Sequence, residues 1–482
     1  MSETHPGLGH VIVIGGGISG LAAAHFLLEG GTRRLTVLES SSRLGGKLYA
    51  DEIAGVPVDL GAESMLARRP EAVELARAVG LGEDIVAPTT ASASLWSRGR
   101  LRAMPKGSLM GVPGDLAQVA GSGVLSAAGL ARMPLDHVLP RTKVGEDVAV
   151  GEFVAARLGR EVVDRLVWPL LGGVYAGDAY RISMRAAVPQ LYDIARSGRS
   201  LIEGVRDLQR KAAAKPQTRG PVFAGIRGGV GRLPVAVADA CRRAGAQIET
   251  DAPVRELRRT ATGWQVVLES ADGDRLLDAE AVVLAVPGPV ASRLLAGESP
   301  VAAGELAAVE YASLALVTMA YRGRDLATLP PGSGFLVPPV EGRTIKASTF
   351  SSCKWQWNAD ADPDTFVLRT SIGRYGDEAD LAWDDTDLVR LSREDLTEAV
   401  GLHAAPVAAR VTRWDGGLPQ YPVGHLTRVA RVREHVGKLP GLAVCGAVYD
   451  GVGIPACVAS ARKAADRVLG TLGRDTSGDA RE

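Results

Sequence analysis

His10-Val11-Ile12-Val13-Ile14-Gly15-Gly16-Gly17-Ile18-Ser19-Gly20 is the stretch that decides the fold. The apolar, β-branched run 11–14 has the composition of a strand buried on both faces. Glycines 15, 17 and 20 then fit the spacing G-x-G-x-x-G. The first permits a tight turn, the second lets backbone approach a pyrophosphate, and the third lets helix pack on strand. Ile18 to Glu29 is rich in Ala and Leu and reads as a helix, stopped by Gly30-Gly31. Its first amides and positive dipole end would face a diphosphate. Leu35 to Leu38 is the next strand, and Glu39 is placed to accept from ribose hydroxyls. The glycine spacing alone is a weak signal. Between strand and helix, with an acid about 20 residues on, it predicts a dinucleotide site.

The chain around this unit has 482 residues, which suggests about two to four structural units. Basic and acidic residues number 55 each, so the formal net charge is zero. That argues against nucleic acid or an anionic membrane as a global partner; attraction for an anion must be local. Cys241, Cys353, Cys445 and Cys457 are scattered, without the spacing of a disulfide framework or a zinc site, and no metal is expected. Met1 to His10 lacks the pattern of a signal peptide, and no apolar run reaches about 18 residues. A cytoplasmic protein without a transmembrane segment is expected. Gly107 to Ala131 carries Asp115 as its only charge. Its glycines and Pro113 argue against a spanning helix. A loosely structured cap over a pocket is the preferred reading, and a peripheral membrane-docking surface the alternative.

Helical patterns such as Pro70 to Val79 and Val148 to Leu158 dominate residues 65–220. Strand signals return at Phe223 to Ile226, followed by a helix at Leu233 to Ala244 and alternating segments to Val286. Ala315 to Tyr321 and Phe366 to Thr370 read as strands of a further sheet. The end mixes a buried strand, Leu442 to Cys445, with a helix from about Pro455 to Leu469.

Glu39, Arg43, Gly45, Gly46 and Lys47 resemble the E-x-x-x-R-x-G-G-[KR] extension of amine-oxidase-type flavoproteins. Two more glycines would bring backbone close to the flavin end, and Arg43 or Lys47 would supply charge beside the diphosphate. In that superfamily the stretch matching Asp59 to Ser64 lies along the ribityl chain and flavin ring. The resemblance also implies that the Val254 backbone contacts adenine, that Trp414 lies near the cofactor, and that Gly446 to Pro455 forms the last flavin-contact loop. The implied set for non-covalent FAD is Gly15, Gly16, Gly17, Ile18, Ser19, Gly20, Glu39, Ser40, Arg43, Gly46, Lys47, Gly61, Ala62, Glu63, Ser64, Val254, Trp414, Gly446, Val452, Gly453 and Ile454. The corresponding fold is α/β plus α+β: an FAD-binding Rossmann-like domain, an antiparallel-sheet substrate domain and a helical subdomain. The FAD-binding domain would take residues 1–95, 221–310 and 412–472, the helical cap 96–220, the sheet 311–411 and a disordered tail 473–482.

Longer strings sharpen the resemblance. Gly173 to Asp178, Ile182 to Ala187, Gly228 to Pro234, Gly334 to Pro339, Glu341 to Trp355, Leu418 to His425 and Tyr449 to Ala456 are similar to the bacterial coproporphyrinogen III / protoporphyrinogen oxidase family over nearly the whole chain. What this implies is six-electron oxidation of coproporphyrinogen III by dioxygen, in three two-electron steps that each give hydrogen peroxide. Protoporphyrinogen IX is the alternative substrate. An amine oxidase on the same scaffold is a further alternative. A flavin-bearing carrier handing porphyrin to the next haem enzyme is another. The mitochondrial-type enzymes carry a propionate-pairing Arg after the Gly-rich flavin segment; here Met65-Leu66 is apolar and Arg68-Arg69 lies just beyond. Arg68, Arg69, Arg185, Lys346, Lys354 and Tyr449 are the candidate substrate contacts. No histidine reads as a catalytic base.

Overall fold

The computed structural model describes residues 8–198, 200–214, 220–269, 273–326, 330 and 332–478. Strand Leu8–Ile14, helix α1 (Ile18–Glu29) and strand Thr32–Leu38 form the expected unit. They join a five-stranded parallel sheet in the order Gln247–Glu249, Thr32–Leu38, Leu8–Ile14, Ala281–Leu284, Leu442–Val444. The central strand is buried on both faces. Val11 and Val13 pack into the core that holds α1, while Ile12 and Ile14 enter a second core on the opposite face. Strand alternation thus joins a helical layer on one face to a mixed layer of helices and the strands Val254–Arg259 and Trp264–Leu268 on the other. The last helix, Ile454–Gly478, packs along α1 and closes the first core with Ala461, Ala465, Val468 and Leu472. The helix runs on to Gly478, past the tail boundary expected at 473. Residues 479–482 lie outside the described residues.

A seven-stranded sheet runs Ala408–Pro419, Tyr311–Arg322, Thr365–Ile372, Ile345–Thr349, Gly334–Leu336, Ala93–Ser97, Arg100–Ala103. Its pairs are antiparallel except Gly334–Leu336 with Ala93–Ser97, which is parallel. Two strands before residue 104 therefore join this sheet, and Ala408–Pro419 belongs to it as a whole. The boundaries at 95/96 and 411/412 are corrected accordingly. The long edge strand is mostly half-exposed, so its apolar alternation is too weak to register in the sequence. One face of the sheet packs against helix Asp385–Val400 through Phe335, Ile345, Leu368, Leu388 and Leu396.

Helices Val150–Leu158, Trp168–Tyr175, Pro189–Ser197 and Leu201–Ala214 build a separate helical core. Residues 107–131 are part of it, which corrects the expectation of loose structure. They form two short strands, Ser108–Leu109 and Val112–Pro113, then helices Leu116–Ser122 and Ala127–Arg132. Asp115 caps one helix on Ala117 N and Ser126 the other on Gly129 N. Val112, Val119 and Val124 are buried, so the apolar residues that looked like a membrane face serve as core. Among the described residues no helix is long and apolar enough to cross a membrane.

Candidate active site

The glycine turn has a job for each glycine. Gly15 adopts φ +110°, and a Cβ there would stand 2.6 Å from Ala285 O. A Cβ on Gly20 would stand 1.8 Å from Gly15 O, so helix and turn could not close. A Cβ on Gly17 would meet nothing within 4 Å: this face is open, at the start of α1. Gly45 N donates to Gly16 O at 2.8 Å and Gly17 bridges Gly45, so the second glycine pair forms a lip over the first.

Glu39 Oε2 accepts from Gly16 N at 2.7 Å, and its Oε1 accepts from Ser41 N at 2.9 Å and Ser41 Oγ at 2.7 Å. The carboxylate orders the turn and keeps lone pairs for a ribose. Ser40 is exposed beside it. Glu39 also exchanges backbone bonds with the segment leading to Val254: its N donates to Glu249 O and its O accepts from Ala252 N, both at 2.9 Å. Segments far apart in the chain are thus joined beside Glu39 by ladder bonds.

Arg43 braces its own loop. Its guanidinium donates to Leu44 O at 2.9 Å and Gly46 O at 2.7 Å and stacks on Tyr49 at 4.3 Å. It shapes the Gly45-Gly46 loop and keeps further N–H donors. Lys47 is exposed beside the Gly45-Gly46 loop; the surrounding protein lowers its pKa, with Cys457 and Glu39 opposing.

The segment 59–64 is locked from three sides. Asp59 Oδ2 and Oδ1 accept from Val230 N and Gly231 N at 2.9 Å each, and burial pushes its pKa up to about 7. Trp414 Nε1 donates to Leu60 O at 3.0 Å. Arg369 Nη1 donates to Asp59 O at 3.0 Å and Gly61 O at 2.8 Å, while its Nη2 pairs with Glu63 at 2.9 Å. Lys354 pairs with the other Glu63 oxygen. Burial works against the Glu63 charge, but Arg369 and Lys354 hold its pKa below the ordinary value. Two consequences follow. The Glu63 side chain is committed to two cations. Lys354 shares that single carboxylate with Arg369, so the cluster keeps a net positive charge. Arg369 was missed by sequence reasoning, although a lone arginine inside the apolar strand Thr365–Ile372 was a signal.

At the far end, Gly446 adopts φ +129° and stands over Ser19, and its N donates to Ser460 Oγ at 3.2 Å. Gly453 is exposed at the start of the last helix, with Val452 and Ile454 beside it. Residues 447 and 448 are pinned from behind: Tyr421 Oη donates to Ala447 O, and His425 Nε2 donates to Val448 O at 2.9 Å. The two rings stack at 4.2 Å. Burial pushes the His425 pKa down to about 4, so it is a neutral wedge at physiological pH. Tyr449 is buried in the core on one face of the parallel sheet with Val429 and Val432. The other candidates are not gathered into one cluster. Arg68 and Arg185 are exposed, Arg69 pairs with Glu71 at 2.6 Å, and Lys346 is buried in the seven-stranded sheet.

An open Gly17 face, the helix start behind it, a carboxylate for ribose and a cation beside the glycine loop fit a flavin dinucleotide. Known proteins agree. A profile of the flavin containing amine oxidoreductases matches residues 18–469. The chain belongs to this family. As a family member it is a flavoprotein oxidoreductase, and its relatives narrow the branch. The coproporphyrinogen III oxidase of Mycobacterium bovis is 39% identical over 95% of this chain and 97% of its own length. The protoporphyrinogen oxidase of Bos taurus is 31% identical over 96% of this chain and 98% of its own. A solved Exiguobacterium sp. protein superposes with a TM-score of 0.83 at 31% identity, covering 97% of this chain and 99% of the other. This flavin oxidoreductase thus sits among the bacterial coproporphyrinogen III / protoporphyrinogen oxidases.

Proposed function

We propose that the protein binds FAD non-covalently and oxidises coproporphyrinogen III to coproporphyrin III in haem synthesis, consuming three dioxygen and releasing three hydrogen peroxide per substrate. The observation that carries the reading is the 39% identity, end to end, with a coproporphyrinogen III oxidase, on a chain with a formed dinucleotide cradle. When bound, the flavin supplies two-electron acceptance. The protein supplies the rest. Gly17, Lys47 and the start of α1 receive the diphosphate, and Glu39 receives the ribose. The backbone of 61–64 and 452–454 faces the flavin, held by Arg369, Trp414 and the Tyr421–His425 stack. No side chain at this site has the geometry and pKa of a general base, which leaves positioning as the main contribution. The protein works in the cytoplasm and passes its product to the next enzyme of haem synthesis.

Protoporphyrinogen IX oxidation is the second reading, favoured by the Bos taurus relative. Apolar Met65-Leu66 supports the first, because no arginine follows the flavin segment directly. The test is anaerobic mixing with each porphyrinogen, followed by peroxide measurement in air. Coproporphyrinogen III should bleach the flavin spectrum faster. Faster bleaching by protoporphyrinogen IX overturns the substrate, and peroxide from simple amines alone overturns the class.

A further inference from the structure

Strand Ile345–Thr349 carries a bulge: Ile345 pairs with Ile372 and Ala347 with Ser371, leaving Lys346 as the extra residue. Its side chain is buried, and its ammonium donates to Gly373 O. The next residue, Arg374, is buried too, and its Nη2 donates to Val337 O at 3.1 Å. Val337 N in turn donates to Lys346 O at 2.9 Å. The two cations are therefore crossed within one patch. Neither makes an ion pair among the described residues.

The neighbouring acids make no ion pair with either cation among the described residues. Glu378 accepts from Ser313 N at 2.9 Å, and Asp395 accepts from Ile345 N at 3.0 Å. Asp377 is joined to Arg374 by backbone bonds at 3.2 and 2.9 Å, and its carboxylate, like those of Asp380 and Asp395, acts on the guanidinium through space. The carbonyl end of helix Trp168–Tyr175 borders the patch, since Tyr375 N donates to Ala176 O at 2.6 Å, and offers partial negative charge only. Buried charges in proteins are paired or bind something. An arginine cannot shed its proton to escape this cost. A lysine can, and burial with Arg374 beside it pushes Lys346 down to about 7.

We propose that Lys346 and Arg374 form a buried receptor for one carboxylate of the substrate. The assignment rests on the porphyrinogen reading above. A point charge and a planar fork together match the two oxygens of a carboxylate. Arg369, which grips the flavin-facing segment, precedes Gly373 by about 13 Å along the same strand direction, a span on the scale of a tetrapyrrole.

The test uses the flavin-loaded enzyme and its K346M, R374M and K346R variants. Each is checked first for unchanged flavin content and a single cooperative melt. Coproporphyrinogen III turnover should show KM raised about tenfold or more in K346M and R374M, with kcat within about threefold, and substantial recovery in K346R. Coproporphyrin III binding, read by fluorescence quenching, should weaken in parallel. The coproporphyrin tetramethyl ester should bind wild type and variants alike. Acetate up to molar concentration reports a free-anion site: competition with coproporphyrin lost in both variants supports the receptor. Wild-type KM and porphyrin affinity in folded K346M and R374M overturn the receptor. Absence of any coproporphyrinogen turnover by wild type overturns the substrate reading instead. If K346M and R374M do not fold, K346Q and R374K are read in the same way.

Discussion

At the residue scale, two glycines of one motif serve different masters. Gly20→Ala drives a methyl into Gly15 O, and backbone cannot yield cheaply, so the purified protein should melt far lower or be insoluble. Gly17→Ala meets open space at ordinary φ, so the apoprotein should fold at a cost of about 1 kcal/mol or less. It should nevertheless lose flavin, because the methyl occupies the phosphate approach. Thermal melting and flavin content of the pair check this; equal behaviour would refute it. Glu39→Ala removes a charged acceptor and should weaken FAD by about 1.5–3 kcal/mol, read by titration of the apoprotein.

At the element scale, the strand Thr365–Ile372 sends Arg369 outward to lock the segment 59–64. Arg369→Met leaves Glu63 buried with Lys354 alone, and about 3 kcal/mol of stability should go. Adding Glu63→Gln should recover part of it, and additive losses in the double variant would refute the coupling. The bulge at Lys346 makes a pH prediction. Its folded pKa, about 7, lies below the ordinary 10.5, mainly through burial, then Arg374, with Glu378 opposing. Between these values the unfolded chain holds a proton that the folded chain has released. Stability of the substrate-free protein should therefore rise with pH across that window and flatten below it. The melting advantage of K346M over wild type should be large near pH 7 and shrink toward pH 10. A pH-independent difference would show that the amine titrates normally.

At the scale of the whole molecule, the dinucleotide cradle is closed by both ends of the described chain. Leu442–Val444 completes the parallel sheet and Ile454–Gly478 packs on α1. Removing residues 442–482 should abolish folding of the nucleotide-binding part, beyond any loss of flavin contacts. Flavin saturation should stabilise the intact protein by about 2.7 kcal/mol at a hundredfold excess over Kd. Calorimetry of apo- and FAD-loaded protein checks both; a truncated chain that melts cooperatively and still binds flavin would refute the first.

Local chemistry made residues 8–38 legible. A doubly buried strand, a glycine turn and an Ala-rich helix can satisfy their backbones in few other ways, and the helix bounds Ile18–Glu29 came out as read. The longer strings placed the chain in its family, and the family brought the flavin with it. Side-chain commitments were not legible. Arg43 also grips its own loop carbonyls, Lys354 also meets Glu63, and the core closes over Tyr449. Arg374 carries no motif and acquires meaning only from Lys346 across the sheet. Which charge neutralises which is decided by contacts between distant segments, and spacing along the chain holds no record of them.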